Sequence, residues 1–202
     1  MRAALTSPAR FWALSIVLLA CLPESTSAHT IIAGVSGFEG GLLHPLMVPT
    51  HVINVIALAL LIGQRPSDER SALIAIFAAG LLGAMALVVL AFATDRAETM
   101  LLGTAILSGV TLAARARLPF LLVALLAIAT GFTLQLDSVP SSIFASETLL
   151  ALSGAALAAL AEVALIAFLA ARAEWPWLVI AIRIAGSWIA AIALLMLALS
   201  LR

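Results

Sequence analysis

Two histidines seven residues apart, His44 and His51, stand with Pro45, Pro49 and Asn54 at the head of a long apolar run. Seven residues make two helical turns, so both imidazoles project on nearly the same face, and Asn54 continues the stripe. On a straight helix the rise of ~1.5 Å per residue separates the rings by roughly 10 Å, too far to share one ion. A bend or two separate stations is required. Pro45 and Pro49 give grounds for a bend, because each removes a backbone donor and crowds the preceding turn, freeing the carbonyls of Gly41 and Pro45. Imidazoles beside freed carbonyls suit a hydrated cation. The other reading is a simple kink whose histidines bond to neighbouring helices, and the residues alone leave both open.

An ionisable group at membrane depth is costly unless paired or hydrated, so the remaining ones form a short list of functional candidates. Thr130, Thr133 and Asp137 recur at spacings of three and four, a polar stripe that ends on a carboxylate. Asp137 and His44 fall near the same membrane surface and could face each other, or Asp137 is a hydrated helix-end carboxylate. Glu162 shares a stripe with Gly154 and Ala158, small residues that let helices approach, which turns it toward protein. Arg183 lies at similar depth in the following segment, so a structural Glu162–Arg183 ion pair is expected between the last two helices.

These residues sit in a chain that is 64% hydrophobic and 10% charged, with a mean hydropathy of +1.24, far from the balance of a water-soluble domain. The fold class is therefore an all-α integral membrane protein with the lipid bilayer as its surroundings. Residues 1–28 read as a signal peptide: Arg2 and Arg10, an apolar run from Phe11 to Leu22, then Thr26-Ser27-Ala28 before a mature start at His29. An uncleaved anchor, or lipidation at Cys21, are the alternatives. Residues 29–202 form one domain of six spanning helices, read as Leu42–Ile62, Ser71–Ala93, Thr99–Ala114, Leu118–Leu136, Glu147–Ala171 and Trp177–Leu201. Arg65, Arg70, Arg115, Arg117 and Arg172 fall on one side, which predicts an inner-membrane protein with those turns cytoplasmic and both mature termini periplasmic. All ten basic residues are arginine and the net charge is zero, so nucleic acid is not an expected partner. A nucleotide-binding loop of the Gly-x-x-x-x-Gly-Lys type is impossible without lysine. Lone serines at Ser108 and Ser153 have no histidine at obvious depth, so the chain is not read as an enzyme.

The order of mature His29-Thr30, Gly37-Phe38, Gly41-Leu42, His44-Pro45 and His51 resembles the HupE/UreJ family, small membrane proteins of hydrogenase and urease gene clusters regarded as nickel or cobalt permeases. The family's first motif runs H-P-x-x-G-x-D-H; His44, Pro45 and His51 match, while Val48 replaces the glycine and Thr50 the aspartate. Glu98, Ser108-Gly109 and Arg117-Leu118-Pro119 resemble its middle region. A second motif, F-H-G-x-A-H-G-x-E, corresponds to Ala129–Asp137, where Gly131 and the acidic Asp137 remain but Thr130 and Leu134 occupy the histidine places. The resemblance implies a permease carrying nickel or cobalt from periplasm to cytoplasm. His44, His51, His29, Glu39 and Asp137 would be the donors, and Thr50, Asn54, Thr130 and Thr133 would line the pathway. Metal would be transient cargo, with no tightly bound cofactor. Because threonine and leucine cannot replace imidazole as ligands, the alternative is a transport-inactive relative serving as a structural or assembly subunit, with a membrane-complex partner or a second copy of itself.

Overall fold

The computed structural model describes residues 37–90, 96–140, 145–173 and 175–201. His29, Cys21 and the rest of residues 1–28 that read as a signal peptide lie outside the described residues. Among the described residues every regular element is helical: α1 (Gly37–Met47), α2 (Pro49–Gly63), α3 (Ser67–Val89), α4 (Ala97–Ala114), α5 (Phe120–Asp137), α6 (Ala145–Ala170) and α7 (Pro176–Ser200). α3 to α7 are each long and apolar enough to cross a membrane, and α1 with α2 makes a sixth span if the bent pair is counted as one. Helices answer the absence of hydrogen-bonding solvent in lipid, because each closes its backbone bonds within itself.

The span read as Leu42–Ile62 is two helices meeting at 69°, the bend for which Pro45 and Pro49 gave grounds, and its first helix begins earlier, at Gly37. The break falls at Val48, which is extended at φ −86° and ψ 115°. The ring of Pro49 disfavours helical geometry in the residue before it, and Pro49 itself then occupies the first turn of α2, where its missing N–H costs nothing. Pro45 lies inside α1. α1 is thus a short arm, and α2 is a core rod buried on most sides, with Val55, Leu58 and Ile62 at 0% exposure. α2 touches every other helix.

Around α2 the chain forms three extensive pairs: α3 with α5, α4 with α7, and α1 with α6. Each is a close approach between glycines. A methyl on Gly80 would strike the carbonyl of Ile128, and one on Gly131 the carbonyl of Phe77. In the second pair a methyl on Gly109 would lie 2.8 Å from the Gly186 carbonyl oxygen, and the converse distance is also 2.8 Å. Gly41 and Gly154 seat α1 on α6 in the same manner. Lipid tails are as apolar as leucine, so helices associate through dense van der Waals contact, and glycine allows it.

This pairing overturns one expectation. α7 packs on α4 and reaches α2, and it makes no contact with α6. Glu162 on α6 and Arg183 on α7 therefore do not form an ion pair. Arg183 Nε donates to the carbonyl of Ala113 at 3.2 Å, and Glu162 Oε1 is buried with no hydrogen-bond partner among the described residues. Equal depth counted along two helices says nothing about which helices are neighbours.

Candidate functional site

The elbow at Val48 removes the separation that a straight helix would impose. The His44 and His51 ring centroids are 4.7 Å apart, edge to face at 74°. His44 closes the last turn of α1 and His51 lies in the first turn of α2, so the bend folds one station onto the other. His51 is fully buried, and His44 is 8% exposed.

Asp137, the final residue of α5, completes the group. Its Oδ2 lies 2.9 Å from His51 Nε2, with the carboxylate side chain 15% exposed. A carboxylate accepts, so Nε2 carries the proton and donates. In the neutral ring this leaves the lone pair on Nδ1, an atom that is buried and makes no hydrogen bond among the described residues. The bond thereby fixes one tautomer and one ring orientation. A carboxylate that holds the far N–H of a histidine is the usual support of a metal-ligating imidazole. The sequence left Asp137 either facing His44 or hydrated at a helix end; the chain brings it to His51, whose ring touches His44.

The surrounding polar residues differ in how free they are. Asn54 is 1% exposed and clamps α2 to α4: its amide donates to the carbonyls of Leu101 at 2.7 Å and Thr50 at 3.3 Å, and its oxygen accepts from Thr104 Oγ1 at 2.9 Å. Thr133 donates within α5 to the carbonyls of Ala129 and Thr130. Thr130 is fully buried, and its hydroxyl has no partner among the described residues. Thr50 is buried beside His51. Glu39 is exposed on the first turn of α1, five residues before His44 and so about 140° around the helix from it. Glu39 joins neither histidine. Among the described residues, no three or more His, Cys, Asp or Glu side chains converge in a geometry that would hold a metal ion.

The sequence reading passed over Gln135, which is fully buried and donates through Nε2 to the carbonyl of Leu152 on α6 at 2.8 Å. An amide inside the apolar run of α5 was the available signal. Ser108, buried with its hydroxyl unpartnered among the described residues, is a second buried polar group within reach of the same helix bundle.

The family model described as HupE / UreJ protein matches residues 17–196, nearly the whole chain. The chain belongs to the HupE/UreJ family. No curated relative and no solved structure matches it. Membership gives this multi-pass protein a membrane accessory or nickel/cobalt transport role, within a family of transporters and accessory proteins. The two stretches that resemble HupE/UreJ motifs meet in space: His44 and His51 lie in the first, and Asp137 ends the second.

Proposed function

We propose that this HupE/UreJ protein is a permease for a divalent metal cation, nickel or cobalt, which it carries from periplasm to cytoplasm past His44 and His51. The observation supporting this reading is the Asp137–His51 hydrogen bond, because it leaves an imidazole lone pair oriented beside a second imidazole in a buried place. Nickel(II) and cobalt(II) favour such nitrogen donors, and water or carboxylate oxygen would complete the shell of a passing ion. Asp137 acts here as the group that orients His51 and supplies negative charge beside it. Since His51 is sealed from solvent, an ion reaches it when the α1–α2 elbow opens. Weak coordination suits passage, because an ion held by many ligands would not leave.

Nickel or cobalt accumulation in cells expressing wild type or His44→Ala/His51→Ala tests the proposal. The expected result is loss of accumulation in the variant at equal membrane expression, and equal accumulation rejects the permease. Thr130 and Leu134, standing where the family's second motif carries histidines, favour a second reading, a transport-inactive subunit of a larger membrane complex. Mild-detergent purification that yields a stoichiometric partner, with no metal accumulation by wild type, would select it.

A further inference from the structure

At the opposite membrane end from the histidines, a cavity of about 460 Å³ opens among the turns after α2, α4 and α6 and the start of α7. Arg65, Arg70, Arg115, Arg117 and Arg183 all line it, and among the described residues no aspartate or glutamate does. The nearby acid Glu69 lies 3.1 Å from Arg65 Nε, among the described residues one counter-charge against five guanidiniums. Arginines placed in loops only to orient the chain need not gather on one cavity, and Arg183 stands seven residues inside α7, where an unneutralised charge is costly.

Three of the five are braced by backbone. Arg65 Nη2 donates to the Leu118 carbonyl at 2.9 Å, Arg70 Nη2 to the Arg65 carbonyl at 3.0 Å, and Arg183 Nε to the Ala113 carbonyl at 3.2 Å. A guanidinium carries five N–H donors, so each keeps others to offer, and Arg70 Nε is buried without a hydrogen-bond partner among the described residues. Arg115 and Arg117 are exposed, and their guanidinium groups make no hydrogen bond or ion pair among the described residues. Arg115 is further held in the left-handed conformation, φ 52°, that ends α4 at the cavity rim.

We propose that this cavity is a binding site for a phosphate-bearing anion. Several acceptor oxygens on one small group match converging guanidiniums, which pair with phosphate through two parallel bonds. A divalent cation would be repelled, so the site is distinct from the histidine seam and does not depend on the permease reading. The inner wall, with Val123, Val179 and Ile182, is apolar and accommodates a ligand with a hydrocarbon portion. A phospholipid headgroup and free phosphate present the same chemistry.

The full chain, purified in a neutral detergent, is titrated with inorganic phosphate and, separately, placed in nanodiscs of phosphatidylglycerol or phosphatidylcholine. Binding is read by calorimetry for phosphate, and by lipid retained in native mass spectrometry and melting temperature for the discs. Saturable binding of phosphate assigns the soluble source, and selective retention of phosphatidylglycerol over phosphatidylcholine assigns the lipid; either supports the site. Arg115→Gln/Arg117→Gln should weaken it by at least about tenfold, the loss expected when charge-assisted hydrogen bonds are removed. Arg117→Gln alone should show a smaller loss. Arg172→Gln, at the same membrane end but outside the cavity lining, should bind as wild type. Binding of neither probe overturns the proposal, as does equal binding by wild type and the double variant, or equal loss in Arg172→Gln.

Discussion

Asp137 does at the scale of one residue what no count along the chain could assign to it. Its Oδ2 accepts from His51 Nε2, and the consequence is a defined tautomer in a fully buried ring. Shape and charge can be separated. Asp137→Asn retains an oxygen acceptor for the His51 N–H, whereas Asp137→Leu leaves that donor unsatisfied, at a cost of about 1–3 kcal/mol. Thermal unfolding in detergent should therefore show a clear loss for leucine and a smaller one for asparagine. Metal accumulation should fall in both, because neither supplies the negative charge. Undiminished uptake by Asp137→Asn would remove the carboxylate's charge from the proposed mechanism.

Between elements, the decisive feature is how near one backbone comes to another. Gly131 admits the Phe77 carbonyl of α3, so Gly131→Ala must force α5 away from α3, and overpacking of this kind costs about 1–3 kcal/mol. Gly83, one turn beyond Gly80 on α3, has nothing within 4 Å of an added methyl. Gly83→Ala should instead leave the protein as stable or raise stability by roughly 0.5–1 kcal/mol through helix propensity. Melting temperatures of the two variants compared side by side check this, and a matching loss in both would contradict the close approach. The elbow belongs to this scale too. Pro49 restricts Val48, Val48 breaks the helix, and the break converts a spacing of two turns into ring contact.

Across the whole molecule, the arrangement of helices decides which charges meet. With α6 and α7 apart, Glu162→Gln and Arg183→Gln should be energetically independent: a double-mutant cycle on unfolding should add to within about 0.5 kcal/mol. A larger coupling would mean that the two helices meet after all. The same arrangement separates two chemistries, with imidazoles and a carboxylate toward one end and five arginines around a cavity toward the other.

The sequence by itself determined the membrane class, the helical elements and the family. Apolar runs of spanning length, prolines and interrupting arginines are local properties that lipid reads directly. His44, His51 and Asp137 were legible as candidates because ionisable groups in such runs are few. Which of them touch was decided only in three dimensions, since a periodicity gives the face of one helix and not the identity of the helix opposite. Asp137 found His51, Arg183 found a backbone carbonyl in place of Glu162, and Asn54 became a clamp, because which helices are neighbours depends on the fit of distant residues, as where Gly109 and Gly186 seat α7 on α4.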